Sequence, residues 1–130
     1  MQNAVDAFPP RWLTPVSQQA KDDGEGDLVV KFAELYGIIT KDSVAGSSGS
    51  PLELRPWQKE LIRHIFAHEN GGLKHRINLV GMPRKNGKSA LGSVLALYSL
   101  ILGPRGGEVY SVAAEKQQAR IVFADAKRMI

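Results

Sequence analysis

The sequence predicts an α/β domain in which parallel strands alternate with crossover helices, preceded by a helical N-terminal extension. Three observations predict it. The short apolar run Ile77-Asn78-Leu79-Val80 leads through a glycine- and lysine-bearing loop into the long apolar stretch from Ala90 to Leu102. Glu108 to Ala113 alternates in hydropathy and is β-prone. Glu115 to Ile130 then repeats apolar residues at helical spacing. Strand, helix, strand, helix implies parallel strands joined by a right-handed crossover.

The elements follow in order. Residues 1–27 read as irregular: Phe8-Pro9-Pro10-Arg11-Trp12 favours extended backbone, and Lys21 to Asp27 reads as a polar loop. Val29, Phe32, Ala33 and Tyr36 follow i, i+3, i+4, i+7, which predicts a helix over 28–36 stopped at Gly37. Lys41 to Pro51 contains Gly-Ser-Ser-Gly-Ser and reads as a flexible surface loop. These segments make residues 1–53 an N-terminal extension with one helix. The main domain is expected over 54–130.

Pro56 opens a second helix, a first helical position that suits proline. Trp57, Leu61 and Ile65 form its apolar stripe, with Ile62 and Phe66 beside it, and Asn70-Gly71-Gly72 is expected to end it. The stretch 90–102 is apolar nearly all round, which predicts burial between a sheet and its neighbours. Gly103 to Gly107 is a turn. The last helix, 115–130, carries Ala119, Val122, Phe123, Ala126 and Ile130 on one face.

The loop between Val80 and Leu91 carries the chemistry. In Gly-Met-Pro-Arg-Lys-Asn-Gly-Lys-Ser-Ala, the tripeptide Gly87-Lys88-Ser89 stands between a predicted strand and a predicted helix. That is the context of a phosphate loop. Backbone N–H groups there point at a bound phosphate, and the helix dipole favours the anion. Gly87 lets the backbone approach without a Cβ. Lys88 is expected to reach the β- and γ-phosphates of ATP, and Ser89 to ligate Mg²⁺. Arg84 is placed to touch the γ-phosphate as an arginine finger in cis. The expected nucleotide contacts are therefore Arg84, Lys85, Asn86, Gly87, Lys88 and Ser89, with Arg84 and Lys88 catalytic. The loop departs from the general pattern: its first glycine, Gly81, is one place early, and Met82 holds the usual glycine position. A basic turn that merely caps a helix is the plainer alternative.

Gln58 stands 30 residues before Lys88. Its amide offers a donor and an acceptor side by side, matching the N6 and N7 edge of adenine. It is therefore a candidate adenine contact; a glutamine simply solvated on a helix is the alternative. Trp57 reads as core. His64 and His68, four apart on the predicted helix, have a zinc-compatible spacing, but no metalloprotease glutamate follows His64 and no third ligand is evident.

Composition bounds the rest. Apolar residues make up 43% of the 130, enough for a real core. With no cysteine, disulfides and cysteine-ligated metals are excluded. No basic stretch followed by an apolar run stands at the N-terminus, so no signal peptide is expected, and 13 apolar residues are too few for a membrane span. Charge is uneven. Residues 1–70 hold seven Lys and Arg against ten Asp and Glu, and residues 71–130 hold ten against three. A basic half is compatible with nucleotide or DNA.

Phosphoryl transfer also needs a carboxylate on Mg²⁺. After Ser89 the acids are Glu108, Glu115 and Asp125. Asp125 follows Ile121-Val122-Phe123-Ala124, but helical periodicity sets it aside. The expectation is that the chain ends before the acidic strand and binds nucleotide without turning it over.

Leu54-Arg55-Pro56-Trp57-Gln58, then Pro83-Arg84-Lys85-Asn86-Gly87-Lys88-Ser89, then Tyr110-Ser111-Val112-Ala113-Ala114 with Gln117-Gln118-Ala119-Arg120, resemble the N-terminal part of tailed-phage terminase large subunits. The resemblance covers roughly residues 28–130 and is strongest over 76–130. It makes Met82 an expected departure. It implies a partial P-loop NTPase domain that holds ATP and Mg²⁺, with Gln58 in the adenine segment and Arg84 sensing the γ-phosphate. For a full-length protein it implies a motor that packages double-stranded viral DNA, a ring of subunits on a portal, a small terminase subunit as partner, a C-terminal nuclease and the cytoplasm of a bacterial host. By this reading the chain is a truncated product, a prophage remnant or a piece of an interrupted gene. A helicase-type ATPase fragment and a non-enzymatic remnant are the alternatives.

Overall fold

The computed structural model describes residues 13–39, 47–83 and 87–130. Five helices and a two-stranded hairpin are present among them: α1 (Gln18–Asp23), α2 (Gly26–Tyr36), α3 (Pro56–Ile65), β1 (His68–Glu69), β2 (Gly72–Leu73), α4 (Lys88–Leu102) and α5 (Lys116–Met129). The chain divides into two units, Met1–Lys31 with Glu53–Val80, and Phe32–Leu52 with Gly81–Ile130.

In the first unit, Ser17 starts α1 where the sequence suggested no helix. Its hydroxyl accepts from the Ala20 N–H at 3.1 Å, a short-range cap that satisfies one orphan donor. Gln18 and Gln19 reach Asp22 and Asp23 one turn on, each at 2.8 Å. The junction after α1 runs close against the end of α3. Glu25 N–H donates to the Phe66 carbonyl at 3.1 Å, and a Cβ on Gly24 would lie 2.2 Å from that same oxygen. Glycine is required there by the approach of two backbones. Val29, Val30, Leu54, Ile62 and Ala67 are buried in this unit. On α3 the most buried residues are Gln58 and Ile62; the Trp57, Leu61, Ile65 stripe is half-buried.

Helix α3 ends at Ile65, earlier than expected, and Asn70-Gly71 is not its cap. Those two residues have φ of 55° and 80° and turn a hairpin in which His68 pairs with Leu73 and Glu69 with Gly72. Positive φ at both central positions is what an Asn-Gly hairpin turn supplies. His68 is therefore on a strand and does not share a helix face with His64, which removes the basis of the zinc spacing. The His64 side chain is 12% exposed and lies 3.4 Å from Glu60.

In the second unit, Phe32 packs edge-on against Tyr98 with ring centroids 5.6 Å apart, and tilted on Tyr36 at 5.0 Å. Backbone bonds from Ile39 to Ser50 and from Leu52 to Gly37, each 2.9 Å, tie the chain after α2 to residues 50–52. Gly37 and Gly103 stop α2 and α4 as expected. Helix α4 packs on α5, with Leu91, Val94, Leu97 and Tyr98 buried. Leu100, Ile101 and Leu102 are exposed, so α4 is buried along one face and not sandwiched by a sheet.

The expected parallel strands are absent among the described residues. Ile77–Val80 and Glu108–Ala113 are unpaired, with Leu79 100% and Val112 89% exposed. A strand is held by its ladder and by packing on its faces. Parallel pairs persist only inside sheets covered on both sides, and neither run finds a partner among the described residues. The architecture is a mixed helical domain with a small antiparallel hairpin. The expected 8–12 extended segment and much of the 41–51 loop lie outside the described residues.

Candidate nucleotide site

The site is built on the start of α4. Gly87 is its N-cap, with φ 77° and ψ 16°, the left-handed conformation that only glycine adopts without strain. That conformation swings the chain into the helix: the Gly87 carbonyl already accepts from the Leu91 N–H at 2.9 Å. Lys88 and Ser89 occupy the first two helical positions and are exposed. Among the described residues no side chain caps this end, and the first turn holds no acid. Among those residues the leading N–H groups of a 15-residue helix are thus open beside a lysine and a hydroxyl. This donor set suits a phosphate, and the serine oxygen beside it suits a hard cation that bridges phosphate oxygens.

Ser93 fixes this turn from behind. Its fully buried hydroxyl lies 2.7 Å from the Ser89 carbonyl and 3.0 Å from the Val122 carbonyl of α5. Sequence reading passed over Ser93. The available signal was a lone serine on the face of an apolar helix, four residues after Ser89.

Arg84, Lys85 and Asn86 lie outside the described residues. Gln58 belongs to the first unit and Lys88 to the second. Gln58 is buried, and its Oε1 accepts from the Arg55 N–H at 2.8 Å. This is one arm of a capping box; Arg55, a donor only, cannot return the other. Asp125 is on α5, as its periodicity predicted, buried and 3.9 Å from Arg128. No group of three His, Asp or Glu side chains able to hold a metal occurs among the described residues. No helix among them is long and apolar enough to cross a membrane.

A family model for the terminase large subunit ATPase domain matches residues 56–130, more than half of the chain. The chain belongs to that family. No significant match is found among curated proteins or among solved structures. The terminase match opens at Pro56, the first residue of α3, and takes in Gln58, the loop, α4 and α5. The N-terminal region of the terminase large subunit ATPase domain is therefore in this chain.

Proposed function

We propose that the chain is the ATP-binding portion of a viral DNA-packaging motor, and that the start of α4 holds the nucleotide's phosphates. The observation that carries this reading is Gly87 in a left-handed conformation at a helix start with no side-chain cap among the described residues, with Lys88 and Ser89 next in line, inside a terminase ATPase match. The N–H groups of the first turn bind phosphate oxygens, and Lys88 neutralises the β- and γ-phosphates. Ser89 is the side chain that would hold Mg²⁺, which draws charge from the phosphate oxygens when bound. Arg84 supplies a further positive charge at the γ-phosphate, with Lys85 and Asn86 completing the loop. Gln58 selects adenine by the paired donor and acceptor of its amide, whose Oε1 carries a second lone pair besides the one that accepts from the Arg55 N–H. The sequence organisation proposed is an extension over 1–53 and an ATPase portion over 54–130. Double-stranded DNA, a portal and a small terminase subunit are the partners of the whole motor, which works as a ring in the host cytoplasm.

Calorimetric titration of ATP·Mg²⁺ into the chain and into Lys88→Ala tests this. Binding in the first and its loss in the second supports the reading. Equal binding by both places the nucleotide elsewhere, and no binding by either removes the proposal.

A further inference from the structure

Among the described residues a glycine follows an aspartate or asparagine at two places, Asp23-Gly24 and Asn70-Gly71. Such a dipeptide can close on itself: the glycine nitrogen, with no Cβ beside it, attacks the side-chain carbonyl carbon of the residue before. The fold treats the two pairs oppositely. Asp23 ends α1, and its Oδ1 accepts from Gln19 Nε2 at 2.8 Å. The Gly24 N–H donates to the Lys21 carbonyl at 3.2 Å, and the Phe66 carbonyl oxygen crowds the place of a Cβ. Side chain and nucleophile are both held. Asn70 is exposed at the centre of the hairpin turn, with φ 55°. Among the described residues neither its amide nor the Gly71 N–H has a hydrogen-bond partner. Nothing lies within 4 Å of a Cβ built on Gly71 or Gly72. The strands that hold this turn are two residues each, and so short a hairpin opens readily.

We propose that Asn70 is a site of spontaneous covalent modification, turned into aspartate and isoaspartate by attack of the Gly71 backbone nitrogen. Hydroxide takes the Gly71 N–H proton. The nitrogen's electron pair forms a bond to Asn70 Cγ, the Cγ–Nδ2 bond breaks, and the amide leaves as ammonia with a proton from water. The product is a cyclic imide. Water opens it at either carbonyl. Cleavage of the new Cγ–N bond leaves aspartate; cleavage of the original peptide bond leaves isoaspartate, with the main chain running through Cβ and Cγ. Water is consumed, ammonia is released, and nothing is oxidised or reduced. Both products put a new carboxylate beside Glu69, whose Oε1 is 3.5 Å from Lys74 Nζ. Isoaspartate also lengthens the main chain inside a turn whose central residues hold φ of 55° and 80°. The His68–Leu73 and Glu69–Gly72 pairs then lose their register. Strand β1 packs against α1, so the change is felt in the first unit.

The test holds the full 130-residue chain at mildly alkaline pH and samples it by tryptic mapping, with an isoaspartate-specific methyltransferase as a second readout. Asn70, Asn78 and Asn86 fall on separate peptides, 64–74, 77–84 and 86–88, and Asp23 falls on 22–31. Peptide 64–74 should gain the mass of oxygen in place of NH, with isoaspartate present, at a rate that rises with hydroxide. It should convert at least about tenfold faster than exposed Asn78, which precedes Leu79, a barrier lower by ~1.4 kcal/mol. Peptide 22–31 should accept no methyl group. Gly71→Ala should slow the conversion at least about tenfold, and Gly72→Ala should leave it unchanged. Amide exchange over residues 68–73 should quicken in the modified fraction. A rate on 64–74 no greater than on 77–84 overturns the proposal, as does conversion confined to 86–88. Aspartate without isoaspartate means direct hydrolysis and overturns the attack by Gly71. Equal slowing by Gly71→Ala and Gly72→Ala does the same. Methylation of 22–31 matching that of 64–74 shows that the fold does not choose between the two dipeptides. Conversion about a hundredfold slower in the folded chain than in the same chain in urea means that the turn shields Asn70, and also overturns it.

Discussion

The Ser93 hydroxyl lies 3.0 Å from the Val122 carbonyl, joining α4 to α5 through a fully buried polar contact. The same hydroxyl is 2.7 Å from the Ser89 carbonyl. One proton is shared between two acceptors, so α5 bears directly on the first turn of the helix that carries Lys88. Ser93→Ala leaves both carbonyls without this donor and should cost about 1 kcal/mol. Urea denaturation should show a lower midpoint with an unchanged slope. An unaltered midpoint would mean the contact contributes nothing.

Two glycines should respond differently to alanine. At Gly24 the new Cβ meets the Phe66 carbonyl oxygen at 2.2 Å, and the backbone must move. A loss at the upper end of about 1–3 kcal/mol, the range typical of overpacking, is expected, because the atom met is backbone. At Gly71 nothing lies within 4 Å, but φ is +80°. Only the left-handed backbone penalty applies, about 1–2 kcal/mol. Denaturation of the two variants should rank Gly24→Ala as the more damaging, and the reverse order would contradict the close approach of the two backbones.

The first unit should weaken on acidification in two stages. Burial holds the His64 imidazole below its ordinary value of 6.5, against the pull of Glu60. Its neutral form is thus favoured in the folded state. The stability it contributes is full above 6.5 and is lost as pH falls through the lower folded value. Burial opposes ionisation of Glu60, but the hydrogen bond and charge of Lys21, with His64 and Arg63, hold it below 4.5. That contribution is present above 4.5 and disappears as pH falls through the folded value. Thermal denaturation against pH should show a decline beginning near 6.5 that His64→Gln removes. A curve flat between 6.5 and 4.5 would rule out the His64 stage.

The Lys21–Glu60 contact at 2.7 Å should be the more valuable of the ion pairs on α3, because Lys21 is 15% exposed while Asp27, which meets Arg63 at 2.7 Å, is 70% exposed. Surface pairs are worth about 0–1 kcal/mol. Double-mutant cycles should give a larger coupling for Lys21 with Glu60 than for Asp27 with Arg63.

Helix periodicity made α2, α3 and α5 legible to within a few residues, because each repeats apolar side chains at 3.6-residue spacing, and the long apolar run after the glycine loop made α4 legible. Helix α1 was missed: it has six residues and one buried apolar side chain, and it rests on the Ser17 cap and packing near β1. The Asn70-Gly71 turn was legible but read as a helix end; its short flanking strands, two residues each, left no alternation to see. Ile77–Val80 and Glu108–Ala113 show the limit of β-propensity. Their composition suits a strand, yet a strand exists only where another backbone completes its ladder. At the site, the Gly87-Lys88-Ser89 pattern marked where α4 begins, since a glycine at a helix start is a backbone property. The capping role of Gln58 and the Ser93 contact depend on side-chain partners that spacing did not bring to notice.

Whether phosphates bind at the start of α4 is tested most directly by amide NMR of the ¹⁵N-labelled chain as ATP·Mg²⁺ is added. The N–H resonances of Gly87, Lys88 and Ser89 should shift first and furthest, with saturation matching the calorimetric affinity, and Lys88→Ala should abolish the shifts. Saturable shifts that centre on other residues, or none at all in the wild-type chain, would contradict the assignment of the nucleotide site.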